Sequence, residues 1–121
     1  MKESRPADRR ERTLRFAVDV IKTCRLLPNG IEFQVIIRQI IRSSSSIGAN
    51  LEEAKGARTR PEFTSCTNIA RREARETLYW LKILMEIVPM KIQSSITELI
   101  EENKQIVGIL TASIKTLSHE K

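Results

Sequence analysis

The chain has 121 residues, 21 of them Lys or Arg and 15 Asp or Glu, giving a net charge of +6, and 40% of its residues are hydrophobic. That length suits one domain over residues 1–121, burying roughly two thirds of its unfolded surface, and the composition argues against disorder away from the ends. No apolar run approaches the roughly 20 residues that span a bilayer, and Met1 to Arg12 lacks the apolar stretch of a secretory signal. The expectation is a soluble, cytoplasmic protein with no membrane partner.

Apolar residues at spacings of three and four divide the chain into helices. The first is expected over 6–26, where Leu14, Ala17, Val18, Ile21 and Cys24 recur, and it ends at Leu27, Pro28, Asn29 and Gly30 because proline cannot continue a helix and Asn-Gly favours a turn. The second, over 31–56, carries Phe33, Ile37, Ile40, Ser44, Ile47, Leu51 and Ala54 in alternating steps of four and three, a heptad seam. Thr59 or Arg60 caps the third, over 61–88, with Pro61 in its first turn. Its stripe is Phe63, Cys66, Ala70, Ala74, Thr77, Leu81, Leu84 and Val88, and Pro89 ends it. The fourth, over 92–117, places Ile96, Leu99, Asn103, Ile106, Leu110, Ser113 and Leu117 in register. Short connections make neighbouring helices antiparallel, so the expected fold is an all-α, up-down-up-down four-helix bundle.

Two features exceed what a bundle core requires. Helix two contains four consecutive serines, Ser43 to Ser46, followed by Gly48, Ala49 and Asn50, all poorer helix formers than alanine or leucine except Ala49 itself. Small side chains permit close helix approach, and the hydroxyls bond back to carbonyls one turn earlier. Alternatively Ser43, Ser46 and Asn50, on one flank of the seam, meet a second subunit. In addition, Ile31 and Ile41 fall off the main stripe, while Trp80 and Ile87 widen the apolar arc of helix three, so homo-oligomerisation is expected.

The residues also resemble a known family. The run Gln39, Arg42, Ser43, Ser46, Ile47, Asn50, Glu53 and Ala54, followed by Arg58, Phe63, Ala70, Glu73 and the stretch Glu76 to Leu81, is similar to the pattern of the proteins of 23S rRNA intervening sequences, the S23-like family. The resemblance covers nearly the whole chain. It implies a four-helix bundle assembled as a homopentamer. It also implies a relationship to the accessory variability determinant of diversity-generating retroelements, a basic pentamer that binds nucleic acid and a reverse transcriptase.

An enzyme is not expected, nor any cofactor. Di-metal bundles need two Glu-x-x-His helices, and the one histidine is His119, close to the last residue, where fraying is expected. Glu73 and Glu76 lack a histidine, cysteine or phosphate-binding loop that would make them catalytic. Glu53, Glu73 and Glu76 are read as structural, pairing with Arg42, Arg58 or Arg72, and Asn50 with Glu53 as a hydrogen-bond network. Cys24 and Cys66 are expected as free thiols on apolar stripes.

The positive charge is uneven. From Lys91 onward the chain has four basic and four acidic residues, so the net +6 belongs to residues 1–90. Arg5, Arg9 and Arg12 share a face of helix one. Arg38 and Arg42 lie a turn apart, read as opposite the core seam of helix two. Lys55, Arg58 and Arg60 surround the second turn, and Arg71, Arg72 and Arg75 cluster on helix three. Guanidinium groups fork onto phosphate oxygens, so these clusters are candidate RNA or DNA contacts, and few exposed aromatics are expected to stack on bases. A protein adaptor for an acidic partner, and a structural product of a ribosomal insertion without a ligand, stay open beside this reading.

Overall fold

The computed structural model describes residues 5–119, which form four α-helices and no strands: α1 (Pro6–Cys24), α2 (Ile31–Lys55), α3 (Arg60–Ile87) and α4 (Met90–His119). Each end has a local cause. After α1, the amides of Leu26 and Leu27 bond to the Thr23 and Cys24 carbonyls, tightening the chain before Pro28. Gly30 opens α2 with φ of 153°, a conformation that residues with a side chain rarely adopt. Thr59 caps α3: its Oγ1 accepts from the Glu62 amide at 3.2 Å, while the Glu62 carboxylate accepts from the Arg58 amide at 2.9 Å. Pro89 stops α3, and α4 starts directly after it, two residues earlier than its periodicity suggests.

The helices form a four-helix bundle in cyclic order. α1 packs on α2 and α4, α3 packs on α2 and α4, and among the described residues the diagonal pairs do not meet. The core is built from Phe16, Val20, Ile40, Ile47, Leu81, Leu84, Ile96, Ile106 and Leu110, each at most 2% exposed. Burying such side chains contributes roughly 1.5–3 kcal/mol each, which holds together helices whose surfaces are otherwise charged. No helix among the described residues is long and apolar enough to cross a membrane.

The middle of the bundle is polar. Thr13, Ser43, Ser44, Thr67, Thr77 and Asn103 are all buried. Thr67 and Thr77 donate to carbonyls one turn earlier at 2.8 Å, and the Ser43 and Thr77 hydroxyls hydrogen bond across the α2–α3 seam at 2.8 Å. A Cβ added at Gly48 would stand 3.2 Å from Thr13 Oγ1, so the glycine lets α1 lie close against α2. Ser43 and Gly48 of helix two therefore serve close packing within the chain, with Ser43 turned to α3.

The stripe of α1 shifts relative to the sequence reading, and those of α2 and α3 differ from it at single positions. α1 buries Thr13, Phe16, Val20 and Cys24, leaving Leu14 and Val18 exposed. α2 buries Ile36 and half-buries Ile37, and α3 buries Thr67 and half-buries Cys66. The α1 shift is about one residue step of the helical wheel, while Phe33, Ile40, Ser44, Ile47, Leu51 and Ala54 of α2 and the α3 stripe from Ala70 to Val88 are buried as read. Periodicity sees only apolarity, and the polar Thr13, Ser43 and Thr67 that point inward are not marked by it.

Candidate nucleic-acid interface

The arginines of the four clusters have different surroundings. On α1, Arg12 reaches across to α4, where Nε and Nη2 hold the Glu102 carboxylate at 2.6 and 2.9 Å and Nη2 also meets Gln105 at 2.6 Å. This forked pair raises the Arg12 pKa through the hydrogen bonds from the guanidinium to Glu102, which outweigh the opposing effect of partial burial, with the Glu102 charge adding to the rise. Arg12 is thus a clamp between helices. Arg5 pairs with Asp8 on the surface, Arg15 with Glu11, and Arg10 reaches Glu52 on α2 at 3.5 Å. Arg9 is half-buried and lies one turn before Thr13, whose hydroxyl donates to the Arg9 carbonyl.

Arg42 is placed differently from the sequence reading. It does not stand away from the core side of α2 but spans to α3, bonding Glu76 and, at 3.3 Å, Glu73. Glu76 also accepts from the Trp80 indole N–H at 2.9 Å. One guanidinium thus gathers two carboxylates from successive turns of α3, and the second carboxylate anchors the tryptophan. Arg42 is therefore an internal ion-pair partner of the kind expected for Glu73 and Glu76. Its neighbour Arg38 is exposed, with no polar partner among the described residues.

The expected Asn50–Glu53 network is absent. Asn50 Nδ2 donates to the Ser46 carbonyl at 2.8 Å and lies 3.2 Å from its hydroxyl, whereas the Glu53 carboxylate is exposed and makes neither hydrogen bond nor ion pair among the described residues. The Asn50 amide turns back to the preceding turn, toward Ser46, and away from Glu53. Around the second turn Lys55, Arg58 and Arg60 are all exposed, and the Arg58 contribution to the fold comes from its backbone amide.

The fourth cluster, on α3, leaves most of its charge available. Arg71 is half-buried and bonds Asn68 at 3.2 Å, a neutral partner. Arg72 and Arg75 are exposed and make no hydrogen bond or ion pair among the described residues. Lys82 continues the same flank two turns on, also exposed. The fourth helix adds to it: Asn103 Nδ2 donates to the Ala74 carbonyl at 3.0 Å, which sets the next residues, Lys104 and Arg75, at one level on the outer side of the α3–α4 seam. Lys82 escaped the sequence reading because it lies two turns beyond the arginines of its own helix, and Lys104 because it lies on another helix that only the seam brings to them.

Beyond this flank two grooves open. One, about 300 Å³ between α1 and α4, is lined by Asp19, Lys22, Glu98 and Glu102. The other, about 500 Å³, lies between the start of α3 and the end of α4, over Pro61, Asn68, Ile114 and Leu117. No group of three His, Cys, Asp or Glu side chains that could hold a metal ion occurs among the described residues. Cys24 is buried, which pushes its thiol pKa up to about 11, and Cys66 is a half-buried free thiol.

Four long helices in a ring, a buried polar middle and an arginine-rich flank define a basic four-helix-bundle protein. Within that class the chain belongs to the 23S rRNA-intervening sequence protein family, whose model matches residues 8–112. It is similar to a crystal structure of a protein of unknown function from the S23 ribosomal protein family of Bacteroides thetaiotaomicron, with 34% sequence identity and a TM-score of 0.77, over 88% of this chain and 98% of that one. No curated protein matches the chain.

Proposed function

We propose that the protein is a non-enzymatic, self-associating bundle that binds nucleic acid through the α3–α4 flank. The observation that carries this reading is the set Arg72, Arg75, Lys82 and Lys104, four exposed cations on two helices without acidic partners among the described residues. Elsewhere Arg12, Arg42 and Arg10 are held by carboxylates on neighbouring helices, whereas these four cations keep their charge on one flank. Cations released from internal pairing are the ones that displace counterions from a phosphate backbone.

The finer topology is proposed as up-down-up-down. Arg10 meets Glu52 while Thr13 faces Gly48, so numbers rise on α1 as they fall on α2. Ala74 meets Asn103 and Met85 meets Thr97, the same sense between α3 and α4. Self-association, with a homopentamer as its proposed form, is supported by an apolar flank on the other side of α3. There Ile31 is 76% exposed, Val35 51% and Ile87 41%, beside the half-buried Trp80 and Ile83. Ring assembly would repeat the basic flank in every subunit.

The reference to 23S rRNA in the family's description makes structured RNA the first nucleic acid to try. A reverse transcriptase as a protein partner is the finest form of the proposal, and co-purification of the two tests it. The main test is a titration of the purified protein against structured RNA and duplex DNA over a salt series, followed by fluorescence anisotropy. Binding should weaken linearly on a log–log plot. Absence of binding at low salt would transfer the weight to a protein partner with acidic groups.

A further inference from the structure

We infer that Tyr79 is a base-stacking platform in the middle of the basic flank, so that the surface selects single-stranded over duplex nucleic acid. This inference rests on the nucleic-acid reading and adds a ligand class to it. Tyr79 is 60% exposed, and its hydroxyl makes no hydrogen bond among the described residues. The ring therefore stands largely in solvent with one face open.

Its neighbours on the helix are basic. At about 100° per residue, Arg72, Arg75, Tyr79 and Lys82 fall within an arc of about 80° along roughly 15 Å of α3. The ring thus has cations on the turns before and after it. A strand that lays phosphates on Arg75 and Lys82 passes a base over Tyr79. In a duplex the base faces are already stacked on one another and turned away from a convex helical surface, so the aromatic contact is open only to unpaired bases.

The ring is also held in place. Tyr79 meets Trp80 edge-on, with centroids 5.5 Å apart and planes at 67°. The Trp80 indole is tied to Glu76, and Glu76 to Arg42 of α2. The chain Arg42, Glu76, Trp80 and Tyr79 links the ion cluster in the α2–α3 seam to the exposed ring. An oriented ring loses less freedom when a base stacks on it than a freely rotating one.

The experiment compares a short labelled single strand, the same strand with abasic sites at every position, and the corresponding duplex, against the full-length protein by anisotropy at fixed low salt. The unmodified protein should bind the single strand more tightly than the other two. Tyr79→Ala should weaken single-strand binding roughly 5- to 150-fold, as loss of one stacked base requires, with an unchanged salt slope and native mass, and Tyr79→Phe should restore it. Arg72→Glu with Arg75→Glu should weaken all three ligands. Unchanged affinity in Tyr79→Ala beside a loss in the arginine variant would overturn stacking and leave phosphate binding intact. A lower native mass in Tyr79→Ala would assign the ring to a subunit contact and overturn stacking. No binding of any ligand by the unmodified protein would overturn both readings.

Discussion

Asn103 of α4 donates its side-chain amide to the backbone carbonyl of Ala74 on α3 at 3.0 Å, while its own Oδ1, fully buried, has no partner among the described residues. The amide ties the two helices at one level, and an orphaned acceptor beside it costs about 1–3 kcal/mol. Asn103 is therefore a positioning contact held at some expense of stability. Such a side chain ties α3 and α4 at one level, and its burial makes the hydrogen bond costly to lose.

Asn103→Asp tests that account. The substitution removes the donor and places a carboxylate where the site is closed to water, so at pH 7 it should destabilise the fold by at least about 3 kcal/mol. The introduced carboxyl ionises in the unfolded chain near pH 4 but resists ionisation when buried. The loss should therefore grow as pH rises above about 4 and shrink below it. Denaturant melts across that range check the direction; a pH-independent effect would point to altered packing alone.

The Arg42 cluster is half exposed, with the Arg42 side chain at 49%, so solvent screens it. A double-mutant cycle of Arg42→Ala and Glu76→Ala should give a coupling of about 0.5–1 kcal/mol. Trp80 emission should shift in Glu76→Ala because the indole N–H loses its acceptor. Zero coupling with an unmoved spectrum would mean that the cluster contributes nothing to the order of this flank.

Reversing the basic flank should separate binding from folding. Arg71→Glu, Arg72→Glu and Arg75→Glu combined should abolish RNA binding at moderate salt while the melting temperature changes by only a few degrees, since Arg72 and Arg75 make no contact whose loss would be felt. The matching change at Arg12 should behave in the opposite way. Arg12→Glu should lower stability, through repulsion from Glu102, by more than it lowers affinity.

Val35→Glu probes self-association. The side chain is half exposed in the single chain, so a charge there should cost less than about 1 kcal/mol of folding stability but should reduce the native mass measured by light scattering. An unaltered mass would remove the Ile31, Val35 and Ile87 flank from the assembly.

Burial of Cys24 carries a pH signature. Its thiol pKa is raised to about 11 from an ordinary 9, so between those values the unfolded chain has lost a proton that the folded chain keeps. Stability present below pH 9 should fall as pH rises toward 11. At pH 8 the native protein should alkylate at Cys66 before Cys24, which peptide mapping reads directly.

Helix number, helix limits within a few residues, the turn at Gly30 and the cap at Thr59 follow from sequence, because each depends on local chemistry: proline geometry, glycine freedom, and a repeat of three and four. The heptad of α4 was legible for the same reason, with buried Asn103 standing in it. The inward faces of α1 and α3 were not fully legible, since Thr13 and Thr67 satisfy their hydroxyls on their own helices and are buried without looking apolar. The candidate site divides along the same line. Arg71, Arg72 and Arg75 cluster along one helix and are visible as letters. That Arg12 belongs to Glu102, 90 positions away, that Arg42 turns to α3, and that Lys104 joins Arg75 are decided only when the helices pack. An arginine's availability depends on which carboxylate the fold brings within about 3 Å, and sequence spacing carries no information about that distance across a seam.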